Sequence, residues 1–282
     1  MCRFVLYLGS PITLDLLTTR PEHSIIRQSF KSRMRKEPLN GDGFGIAWYV
    51  PKISPEPAQF RSIQPAWNNV NLLHIARVSR SQAILAHVRA ATEGFGVTET
   101  NCHPFIADRF SFMHNGSVAE FHKLKRQMQE GLSDESYLWI HGTTDSEHLF
   151  ARFRDHMARQ PVGNKTAAMA DALEATIIDV KQMTEAVGAT RRSSLNLAVS
   201  DGRRAVVSRY ATHGSKALSL FLRVGSEFVC EGGVCRMLDG NQHKTVIVAS
   251  EPLTEEPGWE PVPQNHLVLI DPDHRVELRP VG

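Results

Sequence analysis

Cysteine is scarce in this 282-residue chain, with four residues: Cys2, Cys102, Cys230 and Cys235. That is too few for a disulfide framework, and the reducing compartment expected for the chain would keep the thiols free. Cys230 and Cys235 have no second Cys or His pair beside them, so zinc-ligand spacing is missing. The 13 histidines include no His-Glu-x-x-His pair. An excess of one charge is also lacking. Lys+Arg of 32 against Asp+Glu of 30 leaves +2, and no global field favours nucleic acid or an anionic membrane. No run approaches the roughly 18 apolar residues of a membrane span. The run from Phe4 to Leu8 is too short for a signal peptide. The chain reads as soluble and cytoplasmic, with neither nucleic acid nor membrane as a partner. A hydrophobic share of 41% and a charged share of 22% are those of a globular protein, which excludes disordered, collagenous and coiled-coil classes.

Apolar runs of strand length occur at Cys2 to Leu8, Phe44 to Val50, Ile84 to Arg89 and Phe110 to His114. The last runs into Asn115-Gly116, a strong turn signal. Phe121 to Glu130 reads as helix. Thr144 and Glu147 form a Thr-x-x-Glu capping box ahead of Leu149, Phe150, Phe153 and Met157 on one helical face. Met169, Leu173, Ile177, Val180, Met183 and Val187 recur at three- and four-residue steps, the mark of a second amphipathic helix. Short strands are expected at Leu195 to Ser200, Ala205 to Arg209, Thr245 to Ala249 and Leu267 to Asp271, while Glu251 to Pro263 looks irregular. Strands lead, two adjacent helices follow, and strands return. This is an α+β order with mainly antiparallel sheets, not alternating βαβ, and no linker divides it. One domain over residues 2–282 is expected.

Several residues have chemistry worth weighing. If Met1 is removed, Cys2 carries both a thiol and an α-amine. An α-amine titrates near 7.7–8.0, so about a tenth is neutral at pH 7 and can serve as a base to a thiol near 8.5. The plain alternative is a small core residue at a strand start. Arg89, at a strand end, can present a planar fork to a carboxylate, or simply pair on the surface. Asn115 and Gly116 offer a side-chain amide and a backbone N–H to one developing oxyanion, each donor worth about 3 kcal/mol, or they merely turn a hairpin. Asp145 can receive an ammonium group or only complement a helix dipole. His87, Thr92 and His103 flank these positions. The glycines of Asn40-Gly-Asp-Gly-Phe-Gly45 have no phosphate-loop spacing and are read as sites of close backbone approach or of a bend before a strand. Lys31, Arg33, Arg35 and Lys36 form a basic cluster, usually a solvated face.

In chain order these are a nucleophile, a carboxylate clamp, an oxyanion hole and an ammonium partner. Together with Met1-Cys-Arg-Phe4, Asn40-Gly-Asp-Gly-Phe-Gly45, His87-Val-Arg-Ala-Ala-Thr92, Asn101-Cys-His-Pro-Phe105, His114-Asn-Gly116 and Thr144-Asp-Ser-Glu147, the order resembles the class II glutamine amidotransferases of the N-terminal-nucleophile hydrolases. The resemblance implies a four-layer αββα sandwich of two antiparallel sheets. It implies Cys2 as nucleophile with its amine as base, and Asn115 with Gly116 as oxyanion hole. It further implies that Arg89 holds the substrate α-carboxylate and Asp145 the α-ammonium. His87, Thr92 and His103 would line the pocket, and no metal or organic cofactor is implied. Thr19-Arg-Pro-Glu-His-Ser-Ile-Ile26 and Ala249-Ser-Glu-Pro-Leu253 look like the short, stand-alone members, including the amidotransferase-like subunit of glutathione degradation.

The expected reaction is cleavage of the γ-amide of glutamine or a γ-glutamyl compound through a thioester on Cys2. Larger family members carry a synthase domain that consumes the ammonia, and here one domain accounts for the chain. Three alternatives follow: action only with a partner subunit or as a homo-oligomer, a ligand-sensing subunit without catalysis, or a Cys–His hydrolase using His87 or His103 as base.

Overall fold

The computed structural model describes residues 2–34, 39–91, 96–161, 163, 165–212, 215–240 and 244–282. Thr92, Arg35 and Lys36 lie outside the described residues.

Among the described residues fifteen strands, numbered in chain order, form two large sheets and a hairpin. The first sheet runs, edge to edge, β13 (Glu260–Pro261), β9 (Phe221–Gly225), β12 (Thr245–Ala249), β1 (Arg3–Thr13), β4 (Arg80–Val88), β2 (Phe44–Trp48) and β3 (Ala58–Ser62). The second runs β15 (Val276–Pro280), β14 (His266–Ile270), β8 (Ala205–Arg209), β7 (Ser194–Ser200), β6 (Phe110–Ser117) and β5 (Phe105–Ala107). All these pairings are antiparallel. The helices are α1 (Asp15–Thr18), α2 (Ile25–Phe30), α3 (Val70–Ala76), α4 (Phe121–Gln129), α5 (Asp134–Trp139), α6 (Asp145–Ala158) and α7 (Lys165–Ala186).

Side-chain alternation sets the layers. Phe4, Leu6 and Leu8 of β1 enter the core between the sheets, with Ala83 and Leu85 of β4, Met113 of β6 and Ala198 of β7. Val5 and Tyr7 face the other way, onto Leu14, Leu17, Ile25 and Leu72 from α1 to α3. Beyond the second sheet, Leu195, Leu197 and Val199 meet α4, α6 and α7. In α7 the buried Met169, Leu173, Ile177 and Val180 follow the expected helical step, and Phe150 of α6 stacks on Phe112 at 4.9 Å. The expected four-layer αββα arrangement is therefore observed. Each fully buried Leu, Val or Phe contributes about 1.5–3 kcal/mol, so the three apolar layers dominate stability. Tyr49 adds a polar pin between the sheets, its hydroxyl donating to the Ser200 carbonyl at 2.8 Å.

Three expectations need correction. Asn115-Gly116 is no turn: β6 continues through it, Asn115 opposite Asn196 and Gly116 opposite Leu195. A Cβ on Gly116 would sit 1.7 Å from the Ser194 carbonyl oxygen, so glycine is required there by close strand approach. The capping box is incomplete. Thr144 makes no side-chain cap, and its hydroxyl donates instead to Glu147 Oε2 at 3.4 Å, while Glu147 accepts from the N–H groups of His141 and Gly142. Cys230 and Cys235 are not free thiols. They lie directly opposite in the hairpin β10 (Glu227–Glu231) and β11 (Val234–Leu238), closed by Gly232 and Gly233, and their sulfurs are bonded. Strand register, which spacing alone did not reveal, brings them together. Among the described residues no helix is long and apolar enough to cross a membrane.

Candidate functional site

The expected site residues that are described, all but Thr92, converge at one end of the sandwich. Register explains the start: Arg3 pairs with Val88 and Phe4 with His87, so Cys2 lies beside the strand end that carries Arg89. The Cys2 thiol donates to the Ala90 carbonyl at 3.6 Å. Burial pushes its pKa up, opposed by that hydrogen bond and by the positive charges of Arg89 and Arg3.

The glycine-rich stretch builds the wall around Arg89. The Arg89 N–H donates to the Gly43 carbonyl at 2.8 Å, the Asp42 N–H to the Arg89 carbonyl at 3.1 Å, and the Ala91 N–H to Asp42 Oδ2 at 2.8 Å. Gly43 has φ +114°, and a Cβ there would meet Cys102 Sγ at 2.6 Å. Close approach is thus the use of these glycines, as expected. Arg89 is 4% exposed, yet among the described residues its side chain reaches only two backbone carbonyls, Asp42 at 3.4 Å and Gly96 at 3.2 Å. Among the described residues it has no carboxylate partner. A buried guanidinium in that state is a ready receptor for an anion.

Asp145 opens α6 and is 7% exposed. Its Oδ2 accepts the Val118 N–H at 2.7 Å, just past β6, and its Oδ1 accepts from the Ser146 hydroxyl at 3.3 Å. No cationic side chain among the described residues pairs with it. Asn101 links the two charged positions. Its Nδ2 donates to the Gly96 carbonyl at 2.9 Å and its Oδ1 accepts the Thr143 N–H at 3.1 Å.

Asn115 is fully buried, with Nδ2 donating to Ser250 Oγ at 3.3 Å and Oδ1 unpartnered. His87 and His103 stack with ring centres 4.3 Å apart. Burial holds His87 down at about 3, and burial together with neighbouring charges holds His103 well below its ordinary value. Both rings are neutral at pH 7. His87 Nε2 lies 3.1 Å from the His114 carbonyl, and among the described residues neither nitrogen of His103 has a hydrogen-bond partner. Neither ring is hydrogen-bonded to the Cys2 thiol.

Sequence reasoning overlooked several members of this cluster. Arg3 is fully buried and pairs with Glu251 at 2.7 Å. An arginine within an apolar strand signals a buried partner, and that cue was legible. His114 bridges Ser146 Oγ at 2.9 Å and the Ser194 carbonyl at 3.0 Å, and nothing in its sequence context marks that role.

A metal has one conceivable seat among the described residues, where Glu22, His23 and Glu255 bring ligand atoms within 4.8 Å of one another. Arg33 is ion-paired to both carboxylates there, so a cation already occupies the position. Arg33 of the basic cluster is half-exposed and pairs with these exposed carboxylates, as a solvated face would.

Comparison with known proteins shows the family. The family model for class-II glutamine amidotransferases matches residues 18–278, a span that begins after Cys2. The probable glutamine amidotransferase DUG3 of Saccharomyces cerevisiae is 42% identical, over 96% of this chain and 82% of its own length. The gamma-glutamyl-hercynylcysteine sulfoxide hydrolase of Mycolicibacterium smegmatis is 27% identical over 98% of each chain. Among solved structures, a glutamine aminotransferase class-II domain protein from Silicibacter pomeroyi superposes with a TM-score of 0.69, at 26% identity and full coverage of both chains.

Proposed function

Since the chain belongs to the class-II glutamine amidotransferases, enzymes of γ-glutamyl amide hydrolysis or transfer, we propose that it cleaves the γ-amide of glutamine or a γ-glutamyl compound through a thioester on Cys2. One observation carries the reading. Arg89 and Asp145 are buried opposite charges that lack side-chain ion partners among the described residues. An α-carboxylate and an α-ammonium on one substrate carbon would satisfy both.

With Met1 removed, the Cys2 α-amine takes the thiol proton. The sulfur then attacks the γ-carbonyl carbon, and its oxygen takes up negative charge facing Asn115 Nδ2 and the Gly116 N–H. The C–N bond breaks as the protonated α-amine returns its proton to the leaving nitrogen. Ammonia or an amine departs, leaving a γ-glutamyl thioester. Water, deprotonated by the same amine, adds to the thioester carbonyl carbon; the C–S bond then breaks, glutamate leaves, and the ammonium returns its proton to the Cys2 thiolate. His87 and His103 line the γ-glutamyl pocket. As neutral rings, the two histidines add no charge to compete with Arg89.

The Cys–His alternative has no support in this geometry, because the thiol donates to Ala90 and not to an imidazole. The decisive experiment compares mature protein, beginning at Cys2, with a form bearing one uncleaved residue before it. Glutamate release from glutamine and from γ-glutamyl-p-nitroanilide should vanish in the extended form and in Cys2→Ala. Full activity of the extended form would refute the mechanism.

A further inference from the structure

The proposed chemistry does not use the buried polar pair that follows the apolar strand β12. Ser250 is fully buried and Glu251 is 3% exposed. Ser250 is bonded to β1 twice, its N–H donating to the Phe4 carbonyl at 3.0 Å and its hydroxyl oxygen accepting the Phe4 N–H at 3.0 Å. The same oxygen accepts Asn115 Nδ2 at 3.3 Å, from the opposite sheet. Glu251 holds the residue on the other side of Phe4. Its Oε1 accepts from Arg3 Nε at 2.7 Å and from the Ser32 hydroxyl at 2.6 Å, and its Oε2 accepts the Arg33 N–H at 2.9 Å. Arg3 in turn donates through Nη1 to the Cys2 carbonyl at 3.0 Å.

We propose that Ser250 and Glu251 are positioning residues that fix the nucleophile-bearing segment and the oxyanion donor relative to each other. The inference rests on the reading of Cys2 as nucleophile and Asn115 as oxyanion donor. Ser250 anchors the amide of Asn115 by one of its two N–H bonds, which leaves the second free to aim at an oxyanion and stops the amide from rotating. Glu251 clamps Arg3, and Arg3 clamps the Cys2 carbonyl, so the first residues of β1 cannot drift from that amide. The carboxylate is ionised: burial alone would raise its pKa, but the bonds from Ser32, Arg33 and Arg3 lower it overall. It therefore also balances the Arg3 charge beside the thiol.

The test uses mature full-length protein with γ-glutamyl-p-nitroanilide, and alkylation of Cys2 by iodoacetamide followed by mass spectrometry, which separates it from Cys102. Ser250→Ala should lower kcat about 10- to 100-fold with KM held, because the donor it orients acts in the transition state. Ser250→Thr, which keeps the oxygen, should recover most of the rate. In a double-mutant cycle, adding Ser250→Ala to Asn115→Ala should cost little more than Asn115→Ala alone. Glu251→Gln should move the pH midpoint of Cys2 alkylation downward, since the Arg3 charge is no longer balanced. That shift carries the test independently if Ser250→Ala does not fold. A folded Ser250→Ala with wild-type kcat, fully additive losses in the cycle, or an unmoved alkylation profile in Glu251→Gln would overturn the proposal. Activity retained in Cys2→Ala would instead overturn the reading beneath it.

Discussion

Replacement of Arg89 by methionine tests the substrate clamp most directly, because function and stability should move in opposite directions. Among the described residues of the free enzyme the guanidinium gains only long bonds to two backbone carbonyls, at 3.4 and 3.2 Å. Each is worth about 1 kcal/mol, against a burial cost for an ion of several kcal/mol. Methionine removes the ion and fills a similar volume, so the midpoint of urea unfolding should hold or rise. A bound α-carboxylate would gain two charge-assisted bonds from the same group, at about 1.5–3 kcal/mol each. Their loss amounts to about 3–6 kcal/mol, or about 10²–10⁴ in kcat/KM at roughly 1.4 kcal/mol per tenfold. The assay compares glutamine with 4-aminobutanamide, the same molecule without its α-carboxylate. Wild-type protein should favour glutamine by that factor, and Arg89→Met should treat the two alike. A variant that still discriminates, or one strongly destabilised, refutes the claim that Arg89 is held in readiness for a carboxylate.

Gly116→Ala should cut kcat by about 10²–10³ and destabilise the fold by about 1–3 kcal/mol, because its Cβ would fall 1.7 Å from the Ser194 carbonyl oxygen and move the oxyanion strand; steady-state kinetics and thermal melts check this. His87 titrates near 3 in the folded protein and near 6.5 unfolded, so the unfolded chain holds the extra proton between those values. Stability is complete above about pH 6.5 and should fall by about 1.4 kcal/mol per pH unit towards pH 3, a slope that urea titrations should find reduced by one proton in His87→Gln. Asp145→Asn should raise KM for glutamine and leave it unchanged for glutaramic acid, which lacks the α-ammonium; equal effects on both would remove Asp145 from the clamp.

Most of the core was legible because hydrophobic pattern and burial coincide. The strands β1, β2, β4, β7, β8, β12 and β14 and the helices α4, α6 and α7 all follow apolar runs or helical steps in the sequence. The elements overlooked are those whose pattern is weak. β3 and β15 are edge strands with half-exposed, polar-rich sequences, and β5 has only three residues. The Gly232-Gly233 turn of the β10–β11 hairpin is a hairpin signal that went unused. At Asn115-Gly116 local turn preference lost to strand pairing, since the seven-residue register with β7 outweighs the preference of two residues.

The site was legible as a set of residue types, and its geometry follows from parity. In β1 the inward series runs through Phe4, Leu6 and Leu8, and Cys2 continues it. In β4 the inward residues are Ala83 and Leu85, a series that leads to His87 and Arg89. In β6 Met113 points inward and Asn115 follows two residues later. Antiparallel pairing of β1 with β4 places the first two series at the same end. Three short alternations thus converge on the gap between the sheets, where the apolar core stops and polar side chains begin. Hydrophobic contrast cannot disclose this, because β1 and β4 bury both faces and every residue from Arg3 to Gly9 is buried. What distinguishes the inner face at that end is polarity inside a buried series: a thiol, an imidazole, a guanidinium and an amide in positions where the rest of each strand places Phe, Leu, Ala or Met. Such residues are costly to bury without partners, and those partners include Ser250 just after β12, the His114 carbonyl of β6 and the glycine-rich loop, distant in sequence and adjacent only once the sheets have formed.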